Sequence, residues 1–440
     1  MHISRLYKRF FAAMALLFRA IAIAIATVNL SLFSPSAAIA QSRTISRPIS
    51  FAFVSDVHLC DGVPDNSLKL TKESQVILQD IVKQINAMHL DFVVFGGDMV
   101  ESPGKNDKNW QFFADVVQGL NCPWYFVLGE SDVTGPPAVD RMRTYGVDFK
   151  GKGIDTTTTY WSHDPIEGEP LHLIGLDTAR ANSNTGDVKR DQLAWLRSDL
   201  EKNRGKYTVV LSHHPLLAPS PYDGGPPFEE YSCMSGASVR EVLGSFNDVK
   251  LSVNGHVPVN KVQREGTPWY VSASCAVIYP CQFKVIRLHP QAIEVSTHQI
   301  SYPAFVKMAG QIMESSRLAY LYSSSKPRAF LDIVEGSDID QAAILPLAPG
   351  EVAHKAGKQK KVKQPKEKPL KEKKQKEKKA KEKETKESKT RETKKTEQKI
   401  EPKEEIKEEQ KESGKTGLEL NPDLTPAPEK SDTPDMGKTD

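Results

Sequence analysis

The sequence predicts an α/β domain between two ends that do not read as globular. Three observations carry this. Five short apolar runs end abruptly in carboxylates or imidazoles, as buried strands entering a polar site would. Between them lie stretches with apolar residues at helical spacing. Beyond the fifth run, Asn260 to Ala276 and Phe283 to Ile300 alternate apolar and polar residues, as antiparallel strands with one buried face do.

The first run is Phe51 to Val54, followed by Ser55-Asp56-Val57-His58. If the chain stays extended there, Asp56 and His58 point the same way and can share one ion. A carboxylate oxygen with an imidazole nitrogen suits Zn, Fe or Mn. Leu68 to Met88 follows, with Val76, Ile77, Ile81, Val82 and Ile85 on a helical stripe. The second run, Asp91 to Phe95, leads through Gly96-Gly97 to Asp98. Asn109 to Leu120 reads as a helix. The third run starts at Pro123 and closes on Glu130-Ser131-Asp132, whose carboxylates are candidate catalytic groups. Val139 to Tyr145 and Lys189 to Asn203 are further expected helices, the latter with Leu193, Leu196 and Leu200 on one face. The fourth run, Tyr207 to Ser212, ends in His213-His214-Pro215. Ser238 to Phe246 precedes the fifth, which ends in Asn254-Gly255-His256. A last helix is expected over Ala304 to Tyr322. A polar strand end explains any one of these runs. It explains five poorly, because buried charges and imidazoles are costly without a purpose.

This order of residues resembles the calcineurin-like metallophosphoesterases, whose blocks run Asp-x-His, Gly-Asp, Gly-Asn-His-Asp/Glu, His, then Gly-His-x-His. The match covers roughly Ile49 to Ile300. The resemblance implies two sheets packed face to face with helices outside, giving four layers. It also implies two divalent metal ions (Mn, Fe or Zn), one of which is held less tightly here. A metal-activated water would attack a phosphate mono- or diester. Carried over residue by residue, Asp56 and His58 would bind the first ion. Asp98 would bridge both ions, and His213 and His256 would bind the second. His213 is preferred to His214 for its His-x-Pro context.

Two blocks depart from the pattern. Glu130 stands where the family has an amide, which keeps the hard oxygen and adds a charge. Ser131 stands where the family has the histidine that contacts phosphate, so general-acid help worth about 10²–10⁴-fold is missing. Pro258 replaces the last histidine and offers no donor atom. Asp132 could stand in as an acid only if the loop bends differently. Two readings therefore stand: a slow or specialised phosphoesterase, and a member that binds a ligand without turnover. The expected substrate is a phosphorylated small molecule or a nucleotide-like compound. Tyr222 and Phe228, in a Gly/Pro-rich loop past the fourth run, are placed either to stack on a base or simply to pack the loop.

Domain limits follow from composition. Residues 1–40 carry Arg5, Lys8, Arg9 and Arg19, an apolar stretch, and Ala38-Ile39-Ala40. This reads as a secretory signal peptide, or otherwise an uncleaved anchor. Export to the periplasm or outside the cell is thus expected, with no transmembrane span after cleavage. Residues 41–47 are read as a short linker, 48–343 as the domain, and 344–440 as a low-complexity tail. From 351 onward there are 27 basic and 21 acidic residues and no aromatic ring, which cannot build a core. The whole-chain charge of +3 comes from the two ends, and the middle is acidic. The basic front of the tail is either a solvated spacer or a contact for anionic surfaces. It lacks the interleaved aromatics of single-strand nucleic-acid binding. Of the five cysteines, Cys275 and Cys281 are the expected disulfide pair.

Overall fold

The computed structural model describes residues 44–60, 68–101, 108–133, 158–223, 228 and 231–356. Within them two mixed sheets stack face to face with helices on both outer faces, the four layers that the resemblance implies.

The first sheet centres on β1 (Ile49–Val54), β2 (Phe92–Phe95) and β3 (Trp124–Phe126), which run parallel. On the other side of β1, antiparallel neighbours follow: β10 (Gln282–Leu288), β11 (Ala292–Gln299), β12 (Ala342–Pro346) and β13 (His354–Lys355). The second sheet runs β4 (Trp161–His163), β5 (Leu171–Gly175), β6 (Tyr207–Ser212), β7 (Val249–Asn254), β9 (Trp269–Ser272) and β8 (Lys261–Arg264). From β5 to β9 its strands are parallel.

Period-two alternation assigns every side chain of β1 to a layer. Ile49, Phe51 and Phe53 enter the core between the sheets, against Val209, Leu211, Leu251 and Val253. Ala52 and Val54 face the helices Ser74–Met88 and Lys108–Val117. Phe51 stacks on Phe92 at 4.9 Å. On the far side, Val210 packs with Leu196, Leu200, Val239 and Leu243 from the helices Arg190–Lys202 and Gly236–Gly244. Such two-faced burial is why these runs read as nearly continuous apolar stretches.

Several expectations change. The helix expected over Ala304 to Tyr322 is two helices, Pro303–Glu314 and Arg317–Tyr322, and a third follows at Ala329–Glu335. Ser316 caps the second by accepting the Ala319 N–H, and that capping geometry breaks the run. The boundary set after Ala343 falls inside β12, and the sheet continues to Lys355. The expected linker is also part of the domain from Ile45, which is buried, while Arg47 pairs with Asp91 at 2.8 Å. All five cysteines are free, so Cys275 and Cys281 are not bridged. The helix expected at Val139 to Tyr145, the signal peptide and the tail beyond residue 356 lie outside the described residues. No helix among the described residues is long and apolar enough to cross a membrane.

Candidate metal centre

The C-terminal ends of β1, β2 and β3 in one sheet, and of β6 and β7 in the other, meet at one rim. Ligand sites of open α/β sheets form at such ends. Backbone bonds join the loops there: Asp56 N–H to Gly97 O at 3.0 Å, His58 N–H to Asp98 O at 2.9 Å, and Gly255 N–H to His213 O at 3.0 Å.

The chain does not stay extended at the first block. Asp56 has φ 58° and His58 φ 42°, both left-handed; Asp98 (φ 52°) and His256 (φ 66°) share this conformation. Four of the six expected ligands thus adopt a conformation that few non-glycine residues take. Strain of this kind persists where the surroundings over-determine it, typically at functional sites. Asp56 and His58 converge because each strand end curls inward. His58 Nε2 ends 3.7 Å from Asp56 Oδ1 and 3.4 Å from Asp98 Oδ2.

Glu130 sits at the centre of the other half. Its Oε2 lies 3.0 Å from His213 Nε2 and 3.6 Å from His214 Nε2, and its Oε1 lies 3.3 Å from His256 Nδ1. His213 Nε2 is 3.7 Å from Asp98 Oδ2. Two groups of donor atoms result, each within 4.8 Å: Glu130, His213, His214 and His256; and Asp56, Asp98, His213 and His256. His214, passed over from sequence in favour of His213, is therefore part of the site. Its Nδ1 lies 3.0 Å from Thr178 Oγ1.

The donor set fits a cation. Three nearly buried carboxylates crowd against buried imidazoles, and like charges at such range repel unless a positive charge sits between them. His256 Nε2 is buried without a hydrogen-bond partner. Two imidazoles have their outer nitrogen tied down, which turns the inner one toward the site. His213 Nδ1–H donates to Gly96 O at 2.7 Å, and His58 Nδ1 lies 2.7 Å from Glu101 Oε2. Metal-bound histidines almost always carry such a partner. Electrostatics agree. Burial resists ionisation of Glu130, but His256 and His213 hold its carboxyl well below the usual range. Burial and Lys69 favour a neutral His58, yet Asp98, Asp56 and Glu101 outweigh them and raise it to about 9. Burial and the neighbouring Glu130 push Asp98 up to about 6.

Sequence reading missed Glu101 and Lys69. Lys69 Nζ sits 2.9 Å from Glu101 Oε2, so a Lys–Glu–His chain runs from the cavity wall to a ligand. Glu101 lies three residues past Asp98, and that spacing was the only signal for it. Ser131 has a role, though not the lost histidine's. Its N–H and Oγ–H donate to the two oxygens of Asp98 at 2.9 and 3.1 Å.

Three expected site residues are elsewhere. Asp132 is fully buried, and its carboxylate accepts backbone N–H bonds from Met99 (2.9 Å), Val100 (3.3 Å) and Gly129 (2.9 Å). It braces the loop and does not face the cavity as an acid. Phe228 is buried against Tyr322, with ring centroids 4.3 Å apart, and Tyr222 is half exposed. Neither lines the cavity of about 310 Å³ that holds Asp56, His58, Asp98, Glu130 and His256. Tyr231, Tyr322, Phe330 and Leu318 line it instead, and so does Pro258.

Comparison with known proteins decides the lineage. Residues 49–260 match the family model for calcineurin-like phosphoesterases. This part of the chain belongs to that family. A 3′,5′-cyclic adenosine monophosphate phosphodiesterase, CpdA, from Haemophilus influenzae is 23% identical over 253 residues, covering 56% of this chain and 84% of that one. A probable glycerophosphodiester phosphodiesterase, GpdQ, from Arcobacter nitrofigilis is 26% identical over 168 residues, covering 38% and 56%. Among solved structures, a dimetal phosphatase from Danio rerio aligns with a TM-score of 0.46 and 14% identity, over 57% of this chain and 95% of that one.

Proposed function

We propose that this calcineurin-like phosphoesterase hydrolyses phosphodiesters, or monoesters with a good leaving group, using one or two divalent ions. The observation that carries the reading is the convergence of Asp56, His58, Asp98, Glu130 and His256 on one cavity, with His213 behind them 3.0 Å from Glu130 and the outer nitrogens of His213 and His58 tied down. The names of the two relatives, both phosphodiesterases, agree with it.

Bound ions of the Mn, Fe or Zn type would supply Lewis acidity and a nucleophile from water near neutral pH. The chain's own residues do the rest. Asp98 would be the shared carboxylate, since its Oδ2 lies 3.4 Å from His58 Nε2 and 3.7 Å from His213 Nε2, and Ser131 holds both of its oxygens. Lys69, held by Glu101, adds a cation to the cavity wall for phosphate oxygens. The Ser131 hydroxyl is turned onto Asp98, and Asp132 is spent on backbone. A substrate whose leaving group needs little protonation therefore suits the site. We place the chain outside the cytoplasm, on the strength of its N-terminal forty residues.

Ser131 and Pro258 favour one rival, a member that binds without turnover. Metal content and hydrolysis of bis(p-nitrophenyl) phosphate by the full chain, beside Asp98→Ala, separate the two. Bound metal with turnover that vanishes in the variant is the expected result. No turnover above the variant with any added metal would leave the binding reading.

A further inference from the structure

We infer that the organic group of the substrate is apolar, an aryl or short branched alkyl ester, and that it seats against a wall built by the C-terminal helices. This rests on the phosphoesterase reading and deepens it. The cavity lining combines two chemistries. The candidate metal ligands, Lys69 and Asn184 supply its polar part. The other lining residues are Leu68, Val257, Pro258, Ile278, Leu318 and Phe330, with Tyr231 and Tyr322.

Three of these, Leu318, Tyr322 and Phe330, belong to the helices Arg317–Tyr322 and Ala329–Glu335. Both helices lie C-terminal to the family-matching segment. Pro258 contributes as well. Where the family places an imidazole, this chain presents a pyrrolidine ring to the cavity.

Tyr322 is arranged poorly for stacking a nucleobase. Tyr322 is sandwiched between Phe228 at 4.3 Å and Phe330 at 4.2 Å, with interplanar angles of 30° and 28°. Its two faces are thus covered by other rings. Its hydroxyl donates to Asp223 Oδ1 at 2.5 Å, so that polar tip is already committed inside the protein. Such a wall offers apolar edges and aliphatic surface, which reward a desolvated hydrocarbon group. A sugar or base would instead lose hydrogen bonds to water on entering it. The volume, about 310 Å³, suits a compact group.

The test is calorimetric binding of phosphonates to the Mn-loaded full-length protein, because phosphonates carry the charge of a phosphate and are not hydrolysed. Benzylphosphonate is expected to bind at least ten-fold tighter than methylphosphonate, and tighter than adenosine 5′-monophosphate. Leu318→Asn and Leu68→Asn each alter a half-buried wall residue and should cut the benzyl-over-methyl advantage to under three-fold. Equal affinity for the two phosphonates, or preference for the nucleotide, overturns the apolar wall while leaving the phosphoesterase reading intact. Binding of none of the three overturns both.

Discussion

At the scale of single residues, the least expected participant is Glu101. It fixes His58 from outside, and Lys69 fixes Glu101 in turn. Losing such a partner typically costs about 10–100-fold in metal affinity. Glu101→Gln should therefore weaken Mn binding by roughly that factor in titration calorimetry, while far-ultraviolet circular dichroism stays native. An unchanged affinity would reduce Glu101 to a surface ion-pair partner. A second buried charge lies away from the site. Lys284 on β10 is fully buried, its Nζ bonded to Thr297 Oγ1 at 2.7 Å and to Asp340 O at 2.8 Å. Burial lowers its pKa from 10.5 to about 7, only partly offset by Asp340. The unfolded chain then holds a proton that the folded one lacks across that window. Stability thus rises with pH from about 7 toward 10.5. In urea denaturation the wild type should gain about 1.4 kcal/mol per pH unit over Lys284→Met between those limits. Parallel pH profiles for the two proteins would mean that Lys284 is charged when folded.

At the scale of elements, the loop after β3 shows what sequence conveys and what it hides. The residues Gly129-Glu130-Ser131-Asp132 announced themselves by following an apolar run. Their division of labour did not, because it depends on the short helix Glu130–Val133 that turns each side chain differently. Glu130 faces the histidines, Ser131 grips Asp98, and Asp132 points back to three backbone N–H groups. Gly129 is required by close approach, since a Cβ there would run into the Asp98 carboxylate. Asp132→Asn exchanges one accepting oxygen for a donor facing backbone N–H groups. It should cost about 1–3 kcal/mol, the penalty for a buried unsatisfied group. At saturating metal the pH dependence of turnover should keep its shape. A shifted acidic or basic limb in that profile would restore Asp132 as a catalytic acid. The strand ends carry the same lesson. Composition and order located Asp56, His58, Asp98 and His256, but periodicity gives no hint that the backbone at all four turns left-handed. That conformation is imposed by bonds from distant loops, such as Asp56 N–H to Gly97 O.

At the scale of the whole molecule, the two sheets are joined at the rim by the candidate ligands themselves. His213 on the second sheet donates to Gly96 on the first at 2.7 Å, and the His256 N–H donates to Asp56 Oδ2 at 3.0 Å. Both ligand groups draw donors from both sheets, so bound ions would add a staple across the sandwich. The layers themselves were legible because each sheet is buried on two faces and writes its strands as apolar runs. The wall from Leu318 to Phe330 was not, because amphipathic helices show that they pack without showing what they cover. If the staple exists, a ligand that binds only the folded state stabilises by mass action, about 2.7 kcal/mol at a hundred-fold excess over its dissociation constant. Added Mn should then raise the melting temperature by roughly 4–8 °C. Asp98→Ala, which removes the carboxylate that both half-sites approach, should lose most of that increment while melting near the metal-free wild type. Removing Glu130 alone should leave a part of it, because Asp56, His58 and Asp98 still converge. A melting temperature indifferent to metal in the wild type would mean that hydrogen bonds and ion pairs alone hold the rim. The six residues would then be a structural cluster, and the phosphoesterase reading would fall with the staple.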